Sequence, residues 1–213
     1  MRSSWIGLTI GVLAVAVFLT LAWQVSDDDS PVWRVDRAVA TAMQEHAREH
    51  PALLQAARDG TDAGGVPVMT ALAIVGSLLL WLCGQQRLAA CWLLAAALGC
   101  VLNLGSKSLV DRARPGEGLR DVAVHERNAS YPSGHAMGTV IGYGTLAYVG
   151  VVLLRQRAAK VALVAALILL VLAIGCTRIY LRAHWLSDVI GGHAAGIFWL
   201  TLCLVVLPKE PAP

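Results

Sequence analysis

Two histidines in this sequence lie among residue types that bind and transfer phosphate. His135 closes the short stretch YPSGH, and Asp188 follows His184 by four residues. Three cationic side chains lie before or between these histidines along the chain, namely Lys107, Arg114 and Arg178. Because a guanidinium fork pairs bidentately with phosphate oxygens, this set predicts a site for a phosphate-like anion.

The stretch YPSGH also predicts the start of a helix, because a long apolar run follows it. Ser133 and Gly134 would occupy that start, where backbone N–H groups without a partner inside the helix can face an anion. Gly134 has no Cβ, so a ligand can approach the backbone closely. These two residues therefore predict an anion cradle beside His135.

The combination suits phosphoryl transfer through a covalent histidine. One imidazole must attack phosphorus in its neutral form, and Asp188 can accept the Nδ1–H of His184 so that Nε2 stays available. On a helix, the spacing of four residues puts these two side chains on one face. Protonated His135 would donate a proton to the leaving alkoxide and later accept one from water. The cations would stabilise charge on the phosphoryl oxygens.

Long apolar runs must position these residues. Only 15% of the 213 residues are charged, against roughly 25% in soluble domains, and the mean hydropathy is +0.63. Each run approaches the roughly 20 residues that cross a bilayer as a helix, and none alternates like a barrel strand. The runs are 5–25, 66–83, 88–105, 135–154, 161–177 and 189–207.

These runs predict an all-α bundle of six transmembrane helices, forming a single domain over residues 1–213. The first run could instead be a signal peptide, but it is too long and lacks a small-x-small cleavage site, so we expect a retained helix. The segment 26–65 predicts interfacial helices between membrane helices 1 and 2, broken at Pro51. Glycines in the fourth and sixth runs predict close packing of those two helices. They are Gly134, Gly138, Gly142, Gly192 and Gly196.

Positive charge in the short loops predicts the orientation of the bundle. Arg87 and the basic residues of 155–160 mark one side as cytoplasmic. The segment 106–188, which carries all the proposed chemistry, then has its polar stretches at the extracytoplasmic rim. Two of these outer stretches are basic, against the positive-inside rule. Snorkelling at the interface accounts for one or two such residues, whereas an anion held at this rim accounts for the remainder.

Three motifs in this order resemble the signature of the type 2 phosphatidic acid phosphatase superfamily. The first is Lys, six residues and Arg-Pro, matched by Lys107 and Arg114–Pro115. The second is Pro-Ser-Gly-His, matched at 132–135. The third is Ser-Arg, five residues, His, three residues and Asp; residues 177–188 match it with Thr177 in place of Ser. The resemblance covers roughly residues 66–207.

This resemblance implies a metal-independent membrane phosphatase without a cofactor. His184 would be the nucleophile, Asp188 its orienting partner and His135 the general acid and base. The implied phosphate-binding residues are Lys107, Arg114, Ser133, Gly134 and Arg178. We expect an integral protein of a bacterial inner (cytoplasmic) membrane, with its active site facing the periplasm or the outside. Its expected partners are a phosphorylated lipid and the bilayer, and the net charge of +3 gives no argument for nucleic acid.

Several alternatives remain open at this point. The substrate can be undecaprenyl diphosphate, phosphatidic acid or phosphatidylglycerol phosphate, and a lipid acceptor in place of water would make the chain a phosphotransferase. A transporter or anion-binding protein is disfavoured because the charges gather at a rim and not at the midplane. A metal site would involve His193 with the two histidines above and Asp188. The remaining outer arginines fit interfacial anchoring or headgroup binding equally: Arg112, Arg120, Arg127 and Arg182.

Overall fold

A computed structural model describes residues 2–115 and 128–206 of the chain. Within these ranges the protein is helical and contains no strand. A short 3-10 turn, Asp62–Gly64, connects the third and fourth helices. The helices are α1 Arg2–Val25, α2 Pro31–Glu49, α3 Pro51–Thr61, α4 Val66–Leu82, α5 Gln86–Val110, α6 Gly134–Leu153, α7 Arg157–Tyr180 and α8 Leu186–Val206.

Six helical segments in the described residues are long and apolar enough to cross a membrane, which confirms the predicted fold class. They correspond to the six runs, with one extension: α3 and α4 together form a single candidate span, Pro51–Leu82. Two other helices also exceed their runs at the polar end. α5 continues to Val110 and α7 to Tyr180, so both helices carry motif residues in their last turns.

The spanning helices place many of their large apolar side chains outward, and several small ones lie between helices. Leu78, Leu79 and Leu169 are exposed, as suits side chains that face lipid, whereas Ala73 and Ala89 are buried between helices. Since lipid is as apolar as leucine, close backbone approach through small residues holds such a bundle together.

Helices α6 and α8 pack closely through the glycines of α8. A Cβ at Gly192 or Gly196 of α8 would overlap α6 atoms, so these glycines permit the close contact. The three α6 glycines of the predicted pattern face other helices: Gly138 and Gly142 face Met69 of α4, and Gly134 faces Asn103 of α5. The predicted close packing of α6 and α8 is therefore confirmed, although only the glycines of α8 contribute to it as the pattern predicts. α6 is contacted by α4, α5, α7 and α8, so its glycines are distributed among several neighbours.

The segment between α1 and α4 forms two helices separated at Pro51, as the sequence predicts. Ser30 accepts a hydrogen bond from Trp33 N and caps α2. Helix α2 places its partly buried side chains at regular three- and four-residue intervals and packs over the ends of α7 and α8. At its far end, His46 Nδ1 lies 3.0 Å from Tyr180 Oη. Helices α2 and α3 thus cover the end of the bundle that carries the motifs.

Helix α1 is a packed member of the bundle. Its Gly7 and Gly11 lie beside Thr201 of α8. The Tyr131 hydroxyl, in the stretch YPSGH, donates a 2.6 Å hydrogen bond to Phe18 O. The two aromatic rings stack with centroids 5.6 Å apart. Helix α1 therefore anchors the residues that lead into α6.

Candidate active site

The polar ends of four helices meet at one end of the bundle. Lys107 lies in the last turn of α5, and Arg178 in the last turn of α7. Ser133 is the N-cap of α6, and its N–H donates a 3.0 Å hydrogen bond to the carbonyl oxygen of Asp188 in α8. The three motif regions are therefore brought together, as the sequence predicts.

His184 lies in the turn between α7 and α8, not on a helix. The expectation that His184 and Asp188 share a helical face is wrong, because α8 begins only at Leu186. Asp188 instead occupies the third position of α8, and its Oδ2 accepts a 2.8 Å hydrogen bond from Trp185 N. This is the carboxylate half of a capping box. The pair still meets, since His184 Nδ1 lies 3.6 Å from Asp188 Oδ2.

Ser130 lies between these two side chains. Its hydroxyl donates a short hydrogen bond to Asp188 Oδ2, and its oxygen is 3.4 Å from His184 Nδ1. Both Ser130 and His184 are buried; His184 is 2% exposed. Sequence reasoning missed Ser130, which lies five residues before His135 and belongs to none of the three motifs.

Arg114 approaches the other face of the His184 ring. Its Nη1 lies 3.2 Å from His184 Nε2 and donates a 2.7 Å hydrogen bond to Ala183 O. The opposite edge of the guanidinium is held by Asn128, through its carbonyl and side-chain oxygens. Because arginine has no acceptor, His184 Nε2 must face it as the unprotonated nitrogen. Nδ1 then carries the proton and faces Ser130 and Asp188.

The electrostatics of this position favour a neutral imidazole. Burial, the largest influence, lowers the pKa of His184 to about 4. Arg114 and Arg178 lower this pKa further, while Asp188 opposes them. A buried histidine surrounded by cations holds its proton weakly. At neutral pH, His184 therefore presents a lone pair on Nε2 beside a guanidinium.

Lys107 and Arg178 are also buried in this region. The Lys107 ammonium donates a hydrogen bond to Ala129 O. Arg178 Nη1 donates a 3.1 Å hydrogen bond to Thr61 Oγ1 at the end of α3. Long cationic side chains are rarely buried without compensation, so their concentration here favours a site for an anion. Thr61 is a second contact that sequence reasoning missed.

His135 occupies the first turn of α6 and is half-buried. Ser133 caps this turn by accepting a hydrogen bond from Ala136 N, which confirms the predicted helix start. The His135 ring packs beside Gly64, where an added Cβ would come within 3.4 Å of His135 Cδ2. The segment before α4 therefore packs against the His135 ring.

The four ambiguous arginines separate into different groups. Arg112 is buried and binds Asp188 and Asp36, so simple interfacial anchoring does not describe it. Arg182 Nη2 donates a hydrogen bond to Pro115 O. Arg120 and Arg127 lie outside the described residues.

His193 lies on α8, and an added Cβ at Gly175 of α7 would come within 2.8 Å of its ring. The alternative metal site combined this residue with the two histidines above and Asp188. Among the described residues, no group of three or more His, Cys, Asp or Glu side chains is arranged to hold a metal ion.

Comparison with known proteins assigns this arrangement to a family. Residues 87–211 match the family model described as the PAP2 superfamily, which covers more than half of the chain and all three motifs. The chain belongs to the PAP2 superfamily. This finding confirms the family predicted from the three motifs.

Individual relatives agree with this assignment. The chain is similar to phosphatidylglycerophosphatase B of Bacillus subtilis (strain 168), with 36% identity over 101 residues, 46% of this chain and 47% of that protein. The match therefore spans about half the length of the relative.

Two solved structures share the fold of this PAP2 protein. A transmembrane PAP2 type phosphatidylglycerolphosphate phosphatase from Bacillus subtilis has a TM-score of 0.78 and 24% identity, covering 90% of this chain and 94% of that chain. LpxE from Aquifex aeolicus has a TM-score of 0.59 and 24% identity, covering 81% and 93%. Together with the six apolar helices, these matches identify an integral membrane protein.

Proposed function

We propose that this PAP2 protein hydrolyses a lipid phosphate or lipid diphosphate through a phosphohistidine at His184. One observation carries the proposal: the buried His184 ring has Nε2 beside the Arg114 guanidinium and Nδ1 facing Ser130 and Asp188. In this arrangement Asp188 and Ser130 orient the ring through Nδ1, while Nε2 is available for attack beside a cation that can bind the phosphoryl group.

In the first proposed step, His184 Nε2 attacks phosphorus and the bond from phosphorus to the lipid oxygen breaks. The imidazole becomes positively charged as the P–N bond forms, and Asp188 stabilises that charge through Nδ1–H. His135 donates its proton to the leaving alkoxide, or to the leaving lipid phosphate when the substrate is a diphosphate. Lys107, Arg114 and Arg178 would neutralise the phosphoryl oxygens together with the N–H groups at the start of α6.

In the second proposed step, water replaces histidine at phosphorus. His135, now neutral, takes a proton from the attacking water, and the P–N bond breaks to release inorganic phosphate. His184 and His135 are thereby returned to their starting protonation states. The three cations supply the positive charge that this chemistry requires, so we expect turnover to continue in a chelator.

The relatives suggest which lipid to test first. A phosphatidylglycerophosphatase and a phosphatidylglycerolphosphate phosphatase are among the proteins this chain resembles, so phosphatidylglycerol phosphate is the leading candidate. Phosphatidic acid and undecaprenyl diphosphate share the same reacting group and complete the panel. A polar site at the end of six apolar helices can receive a phosphate headgroup while the acyl or prenyl chain stays in the bilayer.

The test is phosphate release from these three lipids by purified protein in detergent, with and without EDTA. We expect release from at least one lipid, unchanged by the chelator. Failure on all three lipids would overturn the proposed activity, and loss of activity in EDTA would overturn its metal independence. Labelled phosphate recovered in a second lipid, instead of in solution, would identify a phosphotransferase.

Orientation needs a separate experiment. We propose that the site faces the outside, on the basis of the basic loops at 84–87 and 155–160. Single cysteines would be placed at Arg120, outside the described residues, and at Arg157, after replacement of the five native cysteines. A membrane-impermeant thiol reagent should label position 120 in intact cells and position 157 only after permeabilisation. The reverse pattern would place the site in the cytoplasm.

A further inference from the structure

Helix α2 contributes a buried carboxylate that lies outside all three motifs and outside the region matched by the family model. Asp36 is 1% exposed. Such a carboxylate is costly to bury unless its oxygens are fully engaged. Asp36 Oδ1 accepts a 2.9 Å hydrogen bond from Ser187 N, and Oδ2 accepts bonds from the Ser187 hydroxyl and from Arg112 Nη2. Asp36 therefore caps α8 from a separate helix while also binding an arginine.

Arg112 connects this carboxylate to the candidate site. Its Nη2 donates a 2.7 Å hydrogen bond to Asp36 Oδ2, and its Nη1 donates a 2.6 Å bond to Asp188 Oδ1. The guanidinium carbon lies 4.2 Å from the ring centroid of Trp33 and 5.4 Å from that of Trp185. Because a guanidinium is planar, these contacts fix the plane in which Arg112 presents Nη1 to Asp188.

Asp188 is consequently held on both oxygens. Oδ1 is bound by Arg112, while Oδ2 receives the Ser130 hydroxyl and Trp185 N–H and faces His184 Nδ1. The rotation of this carboxylate determines where Oδ2 lies relative to the imidazole. A displacement of Asp36 would therefore be transmitted through Arg112 to the nucleophile.

We propose that Asp36 and Arg112 are positioning residues that set the orientation of Asp188 and, through it, the His184 ring. This role rests on the proposed phosphohistidine chemistry. It adds helix α2 to the catalytic apparatus, although α2 contributes no motif residue. Neither side chain is placed to bind the phosphate itself, so their removal should slow the chemical step and leave substrate binding nearly unchanged.

Each of the two test variants alters one residue in the series of contacts from Asp36 through Arg112 to Asp188. Asp36→Asn keeps the shape but replaces an acceptor with an amide, and it leaves Arg112 paired with Asp188. Arg112→Lys keeps the charge but cannot bridge two carboxylates with a planar fork. Glu45→Gln is the matched control, because it removes one carboxylate from an exposed position of the same helix.

Steady-state kcat and KM would be measured on the best substrate of the lipid panel, beside the thermal midpoint of each detergent-purified variant. We expect kcat to fall roughly 10- to 100-fold in Asp36→Asn and Arg112→Lys, since small misplacements of a reacting group cost rates of this order. KM should stay within about threefold of wild type. The kcat of the double variant should be no lower than that of the slower single variant, because both substitutions act on the orientation of Asp188. Glu45→Gln should match wild type.

A folded Asp36→Asn protein with wild-type kcat and a lower thermal midpoint would overturn the proposal. Asp36 would then only stabilise the start of α8. A raised KM with kcat retained would also overturn it. If Asp36→Asn does not fold, the kcat and KM of Arg112→Lys provide the same test. Inactivity of the wild type and of Glu45→Gln on every lipid would instead overturn the proposed function, and the positioning role with it.

Discussion

The two histidines of the candidate site occupy unlike surroundings. His184 is 2% exposed and lies in a turn fixed by Asp188, Ser130 and Arg114. His135 is half-buried in the first turn of α6, beside the glycine that ends the 3-10 turn. One histidine is enclosed by charged side chains, while the other is partly exposed.

This difference matches the two roles that the proposed reaction requires. A nucleophile must stay neutral and aligned, and burial among cations achieves both by lowering the His184 pKa to about 4. A general acid and base must exchange protons with the leaving group and with water, which partial exposure permits. The two environments therefore support the proposed roles by an argument that does not depend on motif order.

Removing the enclosed histidine should have the largest effect. His184→Ala should reduce phosphate release by at least roughly 10³-fold, because it removes the proposed nucleophile. Asp188→Asn should lose less, since attack remains possible with a poorly oriented ring. His50→Ala, at an exposed position between α2 and α3, serves as the control. Near-normal hydrolysis by a folded His184→Ala protein would show that the enclosed histidine is not the nucleophile.

Removing the half-exposed histidine should have an effect that depends on the leaving group. A lipid alkoxide needs a proton as the P–O bond breaks, whereas p-nitrophenolate leaves readily without one. His135→Ala should therefore slow phosphorylation of the enzyme by roughly 10²- to 10⁴-fold for the lipid and much less for p-nitrophenyl phosphate. Rapid-quench single turnovers measure this step separately from hydrolysis of the intermediate. Equal losses for both substrates would indicate that His135 holds the phosphate or the helix start.

The pH dependence offers a finer test of the His184 environment. His184 attacks as the neutral base, so the acid limb of the kcat/KM profile should appear only as pH drops toward its pKa of about 4. Arg178 lowers that pKa. Arg178→Gln should therefore raise it, which moves the acid limb to higher pH. Wild type and variant are compared on one substrate from about pH 4 to 9. The ionisation of the substrate phosphate therefore affects both profiles equally. If the acid limb lies at the same pH in both proteins, His184 is not the group whose protonation limits activity.

The smallest expected effect concerns the packing around His135. An added Cβ at Gly64 would lie 2.6 Å from Ile174 Cγ2 and 2.9 Å from Thr139 Cγ2, in addition to its contact with the imidazole. Gly64→Ala should lower stability by roughly 1–3 kcal/mol and reduce kcat a few-fold. Gly60→Ala is the control, because no atom lies within 4 Å of its added Cβ. Indistinguishable thermal midpoints and rates for the two variants would contradict this packing.

The sequence predicts the bundle and the motif residues well because both depend on local signals. Membrane-length apolar runs specify helices directly, and the start of α6 follows from Ser133 as its N-cap. Motif residues at the ends of such helices must lie at one rim. The same local reasoning fails for His184, since the capping of α8 by Trp185 and Asp188 excludes that histidine from the helix.

Residues that act through tertiary contacts were harder to predict. Asp36, Thr61 and Ser130 belong to no motif, and their partners come from distant parts of the chain. One signal for Asp36 is present in the sequence. It lies on the side of α2 that carries Trp33, Ala40 and other partly buried residues, where an acidic side chain is costly unless it has a partner. Periodicity shows that such a residue is buried, but only the folded structure identifies Arg112 as its partner.

The most direct test of the account is to trap the covalent intermediate. Purified protein would be mixed with lipid carrying a radiolabelled phosphate, quenched in base within one turnover, and digested to map the label by mass spectrometry. We predict an acid-labile, base-stable phosphoryl group on residue 184, formed no more slowly than phosphate is released, and absent from His184→Ala. Phosphate release by wild type without such an intermediate, or a label on another residue, would contradict the account.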